Sequence, residues 1–278
     1  MKKEGKFKGA NGAELFYQVL YPKVAAPKAA VILVHGHGDH SGGLQNLSNS
    51  LASQDYLVYG FDLRGHGKST GKRGYIKEWA EYRNDLHEFR KLVAPEMPAL
   101  PLFIVGHSIG GVIVLDYTLD YGEGLAGMVA ISPAISYEVT PSERILITLM
   151  GKLKPDYSIV KTGNPQILTK DPEELDRLAA DELRHDVVTP GLGRGLMRTV
   201  ARLANEAKSI KLPILLQFGL EDELTPPEKL HHFFDTVSSP NKQKYEYPHM
   251  RHRPFDDLER EHFFEDMIHW LDKQVENL

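Results

Sequence analysis

The chain has 278 residues, no cysteine, thirteen histidines and a net charge of −5 from 33 Lys and Arg against 38 Asp and Glu. That length suits one large domain carrying an insertion better than two full enzyme domains, and without cysteine there is no thiol nucleophile, no disulfide framework and no cysteine-ligated zinc. The acidic balance argues against a chain that wraps nucleic acid through positive charge. A composition 41% hydrophobic and 26% charged is that of a folded protein, and a small neutral or amphipathic partner fits it best.

Met1-Lys2-Lys3-Glu4-Gly5-Lys6 opens the chain without an apolar stretch behind it. No apolar run reaches the eighteen or so residues a bilayer span needs, so the expected location is the cytoplasm. The segment 7–20 reads as a hairpin turning at Asn11-Gly12, a dipeptide suited to tight turns. Short unbroken apolar runs at 29–34, 56–61, 101–105, 125–131 and 213–218 look like strands buried on both faces. Helical stretches at about 43–53, 79–93, 109–120 and 260–275 separate or follow them. The expectation is a mostly parallel sheet with an N-terminal antiparallel hairpin and helices on both faces. From 134 to 205 no buried strand appears, and amphipathic helical sequence such as 142–153 and 171–181 takes over. Some seventy residues are too many for a loop, so this segment is expected to be a helical cap inserted into a core made of 1–133 and 206–278.

Gly106-His107-Ser108-Ile109-Gly110, followed by Gly111, lies between the strand run ending at Val105 and an apolar helix. That is the setting of a GxSxG nucleophile elbow, in which glycines two positions either side leave room for a strained turn. A serine hydroxyl needs a base, and the base a carboxylate to orient it. In this architecture they follow in the order Ser, Asp, His. Asp222 stands where the acid belongs, just after the strand at 213–218, with Glu221 and Glu223 as its neighbours. The base belongs between the strand run 244–247 and the last helix, where His249 and His252 both qualify. The backbone N–H groups of Ile109 and His37 are the expected oxyanion donors.

A metal reading competes. His35-Gly36-His37-Gly38-Asp39-His40 spells HxHxDH, which follows a strand in the metallo-β-lactamase family, and Gly106-His107-Ser108 resembles that family's later Gly-His-Thr. Zinc accepts imidazole and carboxylate ligands. This reading leaves Asp62-Leu63-Arg64-Gly65-His66-Gly67-Lys68-Ser69 and the Gly110-Gly111 pair without a role, and it expects a strand-rich sandwich. A non-catalytic binding protein on the same fold would need a broken triad or a blocked oxyanion loop, and neither is present in the sequence.

In order and spacing, 35–41, 61–69, 106–111 and 219–222 resemble the monoacylglycerol lipase and lysophospholipase branch of the α/β-hydrolase fold. Tyr247-Pro248-His249-Met250-Arg251-His252 resembles the segment that carries that family's catalytic histidine, and on this comparison His252 is chosen over His249. The resemblance implies a serine hydrolase without a cofactor that cleaves the ester of a monoacylglycerol through an acyl-serine intermediate, with a carboxylesterase or lysophospholipase as the alternative. It also implies an apolar acyl tunnel in the cap, for which Ile145 and Met150 are candidate lining residues. Glu174, beside Glu173, aligns with a glutamate near the glycerol hydroxyls. Transient contact of the cap with a membrane surface belongs to the same picture. Two departures stand out: Gly43 stands where the animal enzymes have arginine, and their cap cysteines are absent.

Overall fold

The computed structural model describes residues 1–278. Strands β1 (Lys2–Lys8) and β2 (Glu14–Leu20) form the antiparallel hairpin, paired from Lys2 opposite Leu20 to Lys8 opposite Glu14. It begins five residues earlier than the sequence pattern suggests. Its connection is not a two-residue turn. Asn11 and Gly12 do take positive φ, 56° and 75°, but inside a short helical turn, Ala10–Gly12.

The chain then runs β3 (Ala29–Val34), α1 (Gln45–Ser53), β4 (Tyr56–Phe61), α2 (Ala80–Val93), β5 (Leu102–His107), α3 (Ile109–Tyr121) and β6 (Gly127–Ile131). Leaving the sheet, it builds α4 (Pro141–Leu153), β7 (Ile159–Val160), α5 (Pro172–Ala180), β8 (Val187–Val188) and α6 (Pro190–Glu206). It returns through β9 (Ile214–Gly219), α7 (Pro227–Thr236), β10 (Lys242–Tyr247) and α8 (Arg260–Glu276). The main sheet has the order β1-β2-β4-β3-β5-β6-β9-β10. From β4 onward every pairing is parallel. No helix is long and apolar enough to cross a membrane.

The unbroken apolar runs arise because the sheet is covered on both faces. Along β3, Ile32 and Val34 join a core with α2 and α3 that also holds Phe89 and Val112. Val31 and Leu33 point the other way, into a core with Leu47 of α1 and Trp270 of α8. Strand alternation thus buries side chains on both sides, and period-2 polarity vanishes from the sequence.

β6 and β9 are neighbours in the sheet, so everything between them is an excursion from one strand edge. Its three helices start alike, each with a capping Thr or Asp followed by Pro. Thr140 caps α4 in a capping box with Glu143, Asp171 caps α5 and Thr189 caps α6. The residue pattern does not announce α7, which opens on Pro226-Pro227 and buries only Leu230 and Phe233 over ten residues.

Candidate active site

Ser108 sits between β5 and α3 with φ 55° and ψ −118°, a strained conformation for a residue with a side chain. The flanking glycines show what permits it. A Cβ on Gly106 would lie 2.2 Å from the carbonyl oxygen of Gly110, and one on Gly110 would lie 2.2 Å from that of Val34. Both clashes are with backbone, so a side chain could not step aside to relieve them. Gly110→Ala is therefore expected to cost about 1–3 kcal/mol and to lower the thermal midpoint by roughly 2–10 °C. An unchanged midpoint in a melting experiment would contradict this close fit. The Ser108 N–H donates to the Ile131 carbonyl at 2.9 Å, and the Ser108 carbonyl accepts from Ala134 at 3.1 Å, which tie the turn to β6.

Asp222 and His252 are both buried, with Asp222 Oδ2 2.8 Å from His252 Nδ1. A carboxylate only accepts, so Nδ1 carries a proton and donates it to Asp222, and Nε2 is the ring nitrogen Asp222 does not engage. The other Asp222 oxygen accepts from the backbone N–H groups of Leu224 and Thr225 at 2.9 and 2.8 Å, and the Thr225 hydroxyl donates to Oδ2. Burial works against the Asp222 charge, but the His252 ring and the hydrogen bonds from His252 and Thr225 outweigh it and hold the carboxyl below its ordinary range. His249 has a side chain 69% exposed and lies near Glu221 at 3.7 Å, away from Asp222.

His107, which the metal reading places in its Gly-His-Ser match, has a bracing role instead. Its Nε2–H donates at 3.0 Å to the His252 carbonyl, and its ring centroid lies 4.8 Å from that of His252. It braces the histidine loop against the elbow. Burial, reinforced by His252 and Arg253, keeps it neutral. Thr225 carries no signal in the sequence beyond its closeness to Asp222.

The loop after β3 lies over the serine. A Cβ at Gly36 would come 3.1 Å from Ser108 Cβ. The His37 N–H makes no hydrogen bond within the protein. Ile109 is the first residue of α3, a position where N–H groups have no intrahelical partner.

The Asp62–Ser69 motif finds its role in holding this loop. Asp62 Oδ1 accepts from the N–H and hydroxyl of Ser41 at 2.7 and 2.6 Å, and Oδ2 accepts from the Lys68 N–H at 2.8 Å. His35 Nδ1–H donates to the Gly36 carbonyl at 2.7 Å while Nε2 accepts from the Leu63 N–H at 2.9 Å. The HxHxDH residues are thereby drawn apart. His35 serves Gly36 and Leu63, Asp39 faces Arg253 and Arg184, and His40 binds Asp181 at 2.7 Å. No group of three or more such side chains is arranged to hold a metal ion.

Glu174 is turned inward from α5, where its oxygens accept from Asn46 at 2.7 Å and Arg177 at 2.5 Å, and Glu173 is exposed. Ile145 is 63% exposed on the outer face of α4, and Met150 is half-buried. The α4 side chain that packs inward on α6 is Ile147, against Gly193.

Residues 25–259 match the hydrolase 4 family, described as serine aminopeptidase, S33. The chain is 29% identical over 273 residues to a monoacylglycerol lipase of Mycolicibacterium smegmatis, with 97% of each chain covered. The solved monoacylglycerol lipase of Paleococcus ferrophilus superposes with a TM-score of 0.84 at 30% identity, over 94% of this chain and 99% of that one. A soluble variant of the Saccharomyces cerevisiae monoglyceride lipase, in complex with a substrate analogue, shares the fold. Its TM-score is 0.88 at 24% identity, over 98% of this chain and 94% of that one. A family match across most of the length, on a sheet with a strained serine at the end of its fifth strand, makes this protein a member of the serine aminopeptidase S33 family of α/β-hydrolases, similar to its monoacylglycerol lipases.

Proposed function

We propose that the protein hydrolyses the carboxylic ester of monoacylglycerols by a serine mechanism. The observation that carries the reading is the buried Asp222–His252 pair at 2.8 Å in the loop packed against the Ser108 elbow. His252 Nε2 takes the Ser108 proton as Oγ attacks the ester carbonyl, and the N–H groups of His37 and Ile109 receive the oxyanion. Nε2 then protonates the departing glycerol oxygen as the carbon–oxygen bond breaks. Water repeats the sequence on the acyl-serine, and the fatty acid leaves with Ser108 restored. No cofactor enters this scheme.

Residues 134–205 act as the cap in this reading, and the apolar outer face of α4, where Ile145, Leu146, Leu149 and Leu153 are exposed, is the part suited to transient contact with a lipid surface. Ile145 and Met150 would meet the acyl chain as it passes α4, and Glu174 would orient the groups that receive the glycerol end. The similarity to named monoacylglycerol lipases over nearly the whole chain supports this substrate class.

The test compares kcat/KM across acyl lengths for monoacylglycerols, lysophospholipids and p-nitrophenyl esters, with a fluorophosphonate to label the nucleophile. Monoacylglycerols of one chain-length range are expected to be preferred, with the label on Ser108. A flat profile across alcohols would favour a general carboxylesterase, and a preference for the phospho-headgroup a lysophospholipase. Full activity in a chain that takes no label would sink the serine mechanism.

A further inference from the structure

The proposed reaction needs two loops in register: the one after β3, which carries the His37 N–H, and the one after β10, which carries His252. One side chain spans them. Arg253, next to His252, is only 2% exposed and heads the fully buried side chains by volume. Its donors go in three directions. Nη1 meets Asp39 Oδ2 at 2.5 Å, Nη2 donates to the Gly43 carbonyl at 2.8 Å, and Nε meets Asp256 Oδ2 at 2.7 Å. Asp39 is itself a junction. Its Oδ1 accepts from the His40 N–H at 2.9 Å and faces Arg184 Nη1 of the inserted segment at 3.0 Å.

A guanidinium is costly to bury unless its N–H groups are paired, and an apolar side chain would fill the same space more cheaply. Its planar fork fixes direction as well as charge, so three acceptors on the two loops are held at set angles to one another. The inserted segment grips the same two loops from above. Its His185 N–H donates to the Gly38 carbonyl at 3.0 Å, and its Leu168 carbonyl accepts from the Arg253 N–H at 2.8 Å.

We propose that Arg253 is a positioning residue: by bridging Asp39 to the His252 loop it sets the oxyanion donor against the base, and Arg184 makes that alignment depend on the inserted segment being seated. The inference rests on the serine-hydrolase reading above. It requires that loosening the bridge harm the transition state more than ground-state binding.

The experiment uses the full chain with Arg253→Lys, Asp39→Asn, Arg184→Gln and the Arg253→Lys/Asp39→Asn double variant. Circular dichroism checks folding, and organophosphonate titration counts competent serines. Then kcat and KM are measured on a water-soluble p-nitrophenyl ester, together with the Ki of a trifluoromethyl ketone that places an oxyanion in the site. Arg253→Lys is expected to lower kcat per titrated site about 10- to 100-fold and to weaken the ketone by a comparable factor, with KM moving less than about threefold. Asp39→Asn should do the same, the double variant should be no worse than the poorer single within about threefold, and Arg184→Gln should lose about three- to tenfold.

An unchanged kcat per site in folded Arg253→Lys, a loss confined to KM, or a fully additive double variant would overturn the bridge. Should Arg253→Lys fail to fold, Asp39→Asn and Arg184→Gln carry the test, and unaltered kcat in both would overturn it. A wild-type chain that neither turns over the ester nor takes the organophosphonate overturns the underlying reading too. An active wild type with unaffected variants overturns the bridge alone.

Discussion

Ser108→Ala is expected to lower kcat/KM on monoacylglycerols by at least about 10⁴-fold. What remains would come from the oxyanion donors and from substrate binding. Folding should be nearly untouched, because alanine at φ 55° carries the same backbone strain as serine and Oγ is not part of the hydrogen bonds that hold the turn. His252→Ala should be comparably damaging. The double variant should be little worse than either single, since base and nucleophile act as one unit. His249→Ala, at an exposed position, should leave the rate within about threefold. Steady-state kinetics on the purified variants decide this: an Ser108→Ala protein that keeps more than about a hundredth of the wild-type rate would rule out Ser108 as nucleophile.

Acid should unfold this protein early, because five imidazoles, three of them buried and two half-buried, are held neutral. Burial, with His185 adding to it, pushes His37 down to about 3. Burial and Arg73 push His185 down to about 4. His35, His66 and His107 are lowered as well, with burial the main cause in each. The rings of His37, His66 and His185 cluster with centroids 4.7–5.5 Å apart, so a proton on one opposes a proton on the others.

Above the ordinary imidazole value, near 6.5, folded and unfolded chains are both neutral at these positions and stability does not depend on them. Below it the unfolded chain takes up protons that the folded chain refuses. Each such histidine then removes about 1.4 kcal/mol per pH unit until its own folded value is reached. For His37 that window runs from about 6.5 down to about 3. Against a typical total of about 5–15 kcal/mol, several such groups are decisive. Asp39 and Asp222, held low in the fold, withdraw further stability as pH falls through the carboxylate range, while Asp85 and Asp116, raised by burial, act in the opposite direction there.

Urea denaturation at pH 8.0, 7.0, 6.0 and 5.0 should show a plateau above 7 and a steep fall below 6.5. His37→Gln should flatten that fall by close to one proton. A stability curve flat down to pH 5 would contradict the neutral cluster.

The alternation of buried strands and amphipathic helices, a long excursion between β6 and β9, and the strained turn at Ser108 were legible in the amino-acid order. Each is local in cause: a strand covered on both faces reads as an apolar run, and a turn with no room for Cβ demands glycine at 106 and 110. Other features were decided only by tertiary structure. The residue pattern left His249 and His252 open in one short loop and the family resemblance chose His252; the physical reason, its 2.8 Å contact with Asp222 thirty positions away, is tertiary. Arg253 meets Asp39 across 214 positions, and the imidazole cluster gathers from the loop after β3, the loop after β4 and the inserted segment.

Pairings of this kind leave no periodicity, because they depend on where loops end in space rather than on which face of an element a residue occupies. The zero cysteines and thirteen histidines have the same division. Composition alone closed the thiol route and the resemblance picked His252, but the folded arrangement shows where the histidines lie: His252 beside Asp222, His107 bracing its loop, and several held neutral in and around the loop after β3, where burial outweighs their affinity for a proton.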